Sequence, residues 1–404
     1  MNEEIVQQSE ALKPLLSKYQ NTALVIGLLG VAATAVGFTM DQQQFYQSYL
    51  LAFLYWISLT MGSLAVLMIH HLAGGRWGFA IRRLLEAGSR TFPLMVILFI
   101  PIILGMHNLY EWTHEDIVKT DEILMHKKAY LNESGFLLRA AFCFVIWGVI
   151  VFLLNRWSTL QDKITETYPT RRMQRLSAPG ILIFALTMTI AAVDWIMSLE
   201  PHWFSTMFAL IYLIGQILLT WAFMILIAVP LSRHKPLDAL LPNERLRDLG
   251  TFMLGFVLLW TYTSFSQFLI IWGGNLPEEI PWYVKRVEGA WQSVAYLLLA
   301  LHFIVPFLLL ISSRIKARTR VLVTIAAGLV IMRLVDLYWI TAPAFQHDGH
   351  AHIMPHWLDL SAPIGIGGIW FFIFFSQLKR RSLIALNDPR FEDLLSGEGE
   401  HSHG

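Results

Sequence analysis

Residues Leu176–Trp203, LSAPGILIFALTMTIAAVDWIMSLEPHW, decide the fold. The run is apolar and long enough to cross a bilayer, yet it holds a carboxylate, Asp194, inside the hydrocarbon. It stops at the charged, Pro-containing turn Ser198–Trp203. Thr187, Ala191, Asp194 and Ser198 are spaced by 4, 3 and 4 and share one small, polar helical face. Such a face requires protein or water against it rather than lipid, so the segment implies neighbouring helices.

Composition extends this to the whole chain. Of 404 residues, 55% are hydrophobic and 15% charged, with a mean hydropathy of +0.53, far from the roughly 25% charged of a soluble domain. The sequence therefore predicts an all-α polytopic membrane protein. Its net charge of +1 gives no sign of a nucleic-acid partner. Residues 1–20 mix acids and bases without an apolar core and read as a short soluble arm, not a cleaved signal peptide. Cys143 is the only cysteine, so within this chain an intrachain disulfide, a Cys-ligated iron–sulfur cluster and a C-x-x-C-H haem attachment are excluded. A redox centre belongs to partners, or is haem b or a quinone.

Apolar windows of about 20 residues predict ten spans, at 21–40, 48–72, 82–106, 133–155, 177–199, 206–230, 248–273, 289–312, 321–341 and 359–379, each read as an unbroken helix. The connections after spans two, four, six and eight carry 4, 5, 4 and 4 Lys or Arg, against 3 in 107–132 and 2 between spans seven and eight. The excess of positive charge places those connections and both termini in the cytoplasm. The expected division is a cytoplasmic arm (1–20), a ten-helix domain (21–379) and a cytoplasmic tail (380–404) that ends in the frayed composition Gly-Glu-Gly-Glu-His-Ser-His-Gly.

The outer loops differ from the inner ones. Loop 107–132 is acidic and rich in His, with room to dock a soluble partner or simply to be solvated. Loop 342–358 carries His347, Asp348, His350, His352 and His356, a tract able to bind a transition metal but without a ligand spacing that singles one out, so no metal site is assigned.

Ionisable groups inside a bilayer cost a few kcal/mol on insertion scales, about 3 for Arg or Asp, so each is a functional candidate to be weighed against a structural one. Arg333 and Asp336 lie three apart on one face and read first as a charge pair locking helices. Arg139 is placed to neutralise Asp194 if spans four and five pack that way. In span eight, Glu288, Gln292 and His302 fall in one helical sector with Tyr296 at its edge, a polar track of about 21 Å at helical rise. On the inner side His70, His71 and Glu86 can continue it. A proton path through Asp194, Glu200, His202, Glu288, Gln292, Tyr296, His302, Asp336, His70, His71 and Glu86 is the sharp reading, and satisfied interhelical hydrogen bonds the plain one. Tyr262, Thr263, Ser266 and Gln267 give span seven a polar face that, with Asp194, can hold a quinone head or serve as polar glue. Bis-His haem is disfavoured, because only His302 sits well inside a span.

Two motifs carry a resemblance. Asp194-Trp-Ile-Met-Ser-Leu-Glu200-Pro-His202-Trp203-Phe-Ser205 and Ser266-Gln267-Phe-Leu-Ile-Ile-Trp272-Gly-Gly-Asn275-Leu-Pro277-Glu-Glu-Ile-Pro-Trp282-Tyr283 resemble the NrfD/polysulfide-reductase-like membrane proteins, and among them the second NrfD-like integral membrane component of bacterial alternative complex III. The likeness runs over essentially the whole chain. It implies two four-helix bundles plus flanking helices in a bacterial cytoplasmic membrane. It also implies a non-redox subunit of a menaquinol:cytochrome c oxidoreductase in an electron-transport chain. The implied partners are a sister NrfD-like quinol-binding subunit, a periplasmic iron–sulfur protein and a multihaem cytochrome c, besides the lipid bilayer. No cofactor is expected by covalent attachment or metal ligation, and menaquinone is the one to consider. Asp194, Glu200 and His202 carry over only as members of the motif. Two alternatives stay open: a second quinone pocket in this chain, and an independent ion-coupled transporter, which broken helices at matching positions of two inverted halves would favour.

Overall fold

The computed structural model describes every residue except 1, 238–240, 347–352, 354 and 389–404. The described residues are helices and connections, with no strand. Ten helices among them are long and apolar enough to cross a membrane, the architecture of a multi-pass membrane protein: spans one to ten are Lys13–Met40, Gln42–Ala73, Trp77–Leu104, Glu133–Gln161, Tyr168–Leu199, Phe208–Leu231, Glu244–Gly274, Trp291–Leu310, Thr319–Phe345 and Leu358–Lys379.

Local chemistry sets their ends. Asp41 caps span two by accepting from the Gln44 N–H at 2.9 Å, and Asn132 caps span four through the Gly135 N–H at 2.7 Å. Span seven ends where Asn275 turns left-handed at φ 50°. Span three is not the unbroken helix expected. It runs as Arg76–Ser89, Phe92–Leu98 and Ile100–Leu104, because Pro93 and Pro101 each remove a backbone N–H and crowd the preceding turn. Span eight is interrupted too: Leu299–Ile304 forms a π-turn just before Pro306. Widening the turn moves the His302 carbonyl away from the proline ring that would otherwise strike it.

Spans two to five pack as one four-helix bundle and spans six to nine as a second, joined along spans two and six. Span two is apolar all round and is buried along its length. Spans one and ten form a separate flanking pair against span two. There Gly27 faces Gly368 and Gly30 faces Gly365 so closely that a methyl at Gly30 would come 2.5 Å from the Gly365 nitrogen.

The two ends of the molecule are chemically distinct. At one, Ser9 Oγ accepts from the Leu383 N–H at 3.2 Å, the Lys379 ammonium donates to Ser17 at 2.9 Å, and Asn387 reaches the Asp162 carbonyl at 3.2 Å. Both terminal segments and the Arg-rich connections therefore meet there. The N-terminal arm of the sequence reading is helical from Asn2, with Ile5, Leu12 and Leu16 buried. At the other end the acidic stretch 107–132 folds into short helices, Glu115–Thr120 and Glu122–Lys127, whose Val118 and Leu124 are buried, rather than an open loop. His347, Asp348, His350 and His352 lie outside the described residues.

Candidate functional site

At the acidic end the two sequence motifs converge. Span five closes with the short turn Met197–Leu199, in which the Ser198 hydroxyl donates to the Asp194 carbonyl. Beyond it, Trp203 stacks on Trp282 with centroids 4.5 Å apart and 13° between planes. Trp282 belongs to an amphipathic helix, Ile280–Val287, opened by Pro281. Its i,i+4 pair Trp282 and Arg286 is buried while Val284 and Lys285 are not. Ser205 donates to the Gln267 side-chain oxygen at 2.8 Å, and the Gln267 amide donates to the Tyr283 hydroxyl at 3.3 Å.

Arg286 is the hub of this cap. It donates to the carbonyls of Trp282 (3.0 Å), Trp339 (3.2 Å) and Ile340 (2.7 Å) and pairs with Glu200 at 2.5 Å. Glu200 also meets Lys285 at 3.3 Å. Burial pulls the Arg286 guanidinium below its ordinary value and Glu200 opposes that shift, which keeps the charge in place. Burial also pushes the Tyr283 phenol up to about 12. Beside the hub, His202 Nε2 lies 2.5 Å from Asp121, and Lys127 donates to the Pro201 carbonyl at 2.6 Å. The Asp121 carboxyl is held below the usual carboxylate range, chiefly by the Leu124 backbone N–H and then by His202.

Below the cap sit two ion pairs, one between half-buried Arg139 and buried Asp194 and one buried on both sides. In the first bundle the Arg139 Nε meets Asp194 at 2.7 Å, and the guanidinium lies 3.9 Å over the Tyr130 ring. The Thr187 hydroxyl on the same face of span five accepts from Trp147 at 2.8 Å. In the second bundle Arg333 pairs with Asp336. Gly215 makes the room: a methyl there would lie 2.4 Å from the guanidinium carbon. His302 stacks on Trp260 at 4.1 Å, and neither of its ring nitrogens has a protein hydrogen-bond partner among the described residues. The π-turn presents this buried imidazole, and π-turns concentrate at functional positions.

The remaining candidates fall in separate places. Glu288, Gln292 and Tyr296 are exposed, whereas His302 is buried, so span eight carries no single polar sector. Glu288 caps the preceding helix, a positive φ of 58° at Gly289 breaks the chain direction, and the π-turn offsets the register beyond it. On span seven, Tyr262 faces outward while Thr263 and Gln267 are buried. Asp194 in the first bundle and Gln267 in the second have different partners, and no hydrogen bond among the described residues gathers Tyr262, Ser266, Gln267 and Asp194 around one slot. His70 and His71 are buried, with His70 packed against Trp77 and Phe79. Glu86 is engaged with Arg82 at 3.0 Å and Arg83 at 2.7 Å. Arg286, Tyr130 and Trp260 were not sequence candidates; the Trp282/Arg286 spacing behind Pro281 was the available signal for the first.

Among the described residues no three His, Cys, Asp or Glu side chains gather as a metal site would need. No protein-family model matches the chain, and no curated protein matches it.

Proposed function

We propose that this chain is the non-redox, NrfD-like membrane subunit of a menaquinol:cytochrome c oxidoreductase of the alternative complex III type. It would sit in a bacterial cytoplasmic membrane with both termini inside and hold a sister quinol-binding subunit, an iron–sulfur protein and a multihaem cytochrome in place. The observation that carries the reading is the convergence of the two resemblance motifs. Trp203 on Trp282, Ser205 on Gln267 and Glu200 on Arg286 make them one rigid cap at the acidic end, a preformed platform of the kind a soluble redox partner docks on. Orientation follows from the Lys and Arg gathered at the end that holds the terminal segments.

Proton conduction is the accompanying role, through Arg139–Asp194 and through Arg333, Asp336 and His302, whose buried ionisable groups sit one set to a bundle. An independent ion-coupled transporter is the second reading: the interrupted helices are spans three and eight, the third of each half when the ten spans are divided five and five, the positions that inverted halves would match.

The test is to tag this chain, extract it gently and run it on a native gel with haem stain and mass spectrometry. Co-migration with a multihaem cytochrome and an iron–sulfur protein is the expected result. A haem-free lone species, with the cytochrome intact elsewhere on the gel, overturns the reading. In the assembled complex, Asp194→Asn is expected to lower proton release per quinol oxidised; unchanged release makes Asp194 structural.

A further inference from the structure

At the end that holds the terminal segments, a groove of about 1060 Å³ lies between spans three and four and is closed by the end of span ten. Its shape follows from the sequence. The break at Pro93 opens span three, and Gly148 across from it has no side chain, so that a methyl there would already touch the Phe92 ring at 3.3 Å. The apolar wall is made by membrane-spanning residues whose side chains point outward: Val96, Ile97 and Phe152 are all exposed.

The rim has one sign of charge. Arg90, Arg156, Lys163 and Arg381 line it, and no acidic residue among those described does. The neighbouring carboxylates are held by other arginines: Glu86 by Arg82 and Arg83, Asp162 by Arg83, Asp388 by Arg82. Glu86 reaches Arg381 only at 3.5 Å. Arg90 donates through Nε to the Asn155 side-chain oxygen at 2.5 Å, and its second terminal nitrogen is buried with no protein acceptor among the described residues. Arg381 donates to the Asn155 carbonyl at 3.2 Å. Burial, together with the like charges of Arg90 and Arg83, pulls Arg381 down to about 10. The guanidinium groups of Arg90 and Arg381 are thus both held by Asn155, while Arg156 and Lys163 are exposed.

We propose that this groove is a binding site for an anionic phospholipid, its phosphodiester held by Arg90, Arg156, Lys163 and Arg381 and its acyl chains laid along Val96, Ile97 and Phe152. The chemistry selects the bilayer as the source. A soluble anion would match the rim but leave the apolar wall uncovered, and a zwitterionic lipid would match the wall but bring no net charge to four cations. The site stands on the membrane-spanning architecture alone and is independent of the electron-transport reading.

The full-length protein is extracted with its native lipid in styrene–maleic acid particles, and bound lipid is identified by native mass spectrometry. Wild-type protein is expected to retain phosphatidylglycerol or cardiolipin through delipidation. Arg156→Gln/Lys163→Gln, both exposed and away from the buried pairs, is expected to lower that retention by about tenfold with the thermal midpoint unchanged. Equal retention by the double variant overturns the site. A photoactivatable phosphatidylglycerol should label Phe152 and Ile97 and be suppressed in the same variant. Equal labelling by photoactivatable phosphatidylcholine means a nonselective lipid surface, displacement by millimolar inorganic phosphate means a soluble-anion site, and crosslinking of the groove to another polypeptide means a protein interface; each of the three overturns the proposal. Should the double variant not fold, Phe152→Ser supplies the same comparison from the acyl side.

Discussion

Trp203 and Trp282 lie ring on ring, 4.5 Å between centroids and 13° between planes, although 79 positions separate them in the chain. Trp339 meets Trp282 edge-on at 5.6 Å, so one indole joins the span five–six turn, the span seven–eight helix and span nine. Replacing it by Ala removes contact on both faces. Trp282→Ala is expected to cost about 3–5 kcal/mol, read as a lower thermal midpoint of the purified protein, with a loosened acidic-end cap visible as faster amide exchange in residues 280–287.

Glu200 is the one carboxylate on Arg286 among the described residues, and the Arg286 side chain is fully buried. Removing the negative partner strands a cation that still has to stay out of water. Glu200→Gln should therefore destabilise by about 3 kcal/mol, whereas Glu200→Gln/Arg286→Met should recover only part of that loss, because the Trp339 and Ile340 carbonyls lose their donor. A double-mutant cycle on the thermal midpoint, with Arg286→Met as the other single variant, checks it; a loss in the double variant equal to the sum of the two single losses would mean that the pair is not coupled.

How much of this was legible in the sequence depends on the kind of signal. Ten apolar windows and the spacing of Arg333 and Asp336 depend on residues close in the chain, and those readings need no knowledge of packing. The partner of Asp194 is 55 residues away, and nothing local says that span four presents Arg139 to it. The polar track read along span eight failed for a local reason of another kind: Gly289 and the π-turn before Pro306 spoil the regular 100° step on which any helical-face reading rests. The span seven face failed because Tyr262 and Thr263, though adjacent, necessarily point to different sides.

Two glycines separate packing from helix propensity. Gly215→Ala puts a methyl 2.4 Å from the pinned Arg333 guanidinium, while nothing lies within 4 Å of the position a methyl would take at Gly328. The first substitution should cost about 1–3 kcal/mol, and the second should be neutral or stabilising by up to about 1 kcal/mol, since Ala favours a helix over Gly. Thermal midpoints of the two variants give the comparison directly.

Acid should loosen one corner of the cap before the rest. The folded-state value of Asp121 is depressed, so its contribution is complete above its unfolded value of 3.8 and is lost as pH falls through the lower folded one. The Asp121 side chain caps Glu122–Lys127 by accepting from Ile123 and Leu124 at 2.9 and 3.1 Å. Exchange of the Leu124 amide is expected to rise below about pH 3.8 in the wild type, and to be fast at all pH values in Asp121→Ala, which loses about 1 kcal/mol of capping.

The glycine-to-glycine seam between spans one and ten also has a consequence for how the chain is made. Span one has its principal docking partner in span ten, which leaves the ribosome more than three hundred residues later. Span one must therefore wait in the lipid, held only by the marginal contact it makes with span two, until Leu358–Lys379 has been inserted. Closure of that seam, which also ties Ser9 to Leu383 and Ser17 to Lys379, therefore comes late in synthesis, and until then the glycine face of span one is left against lipid.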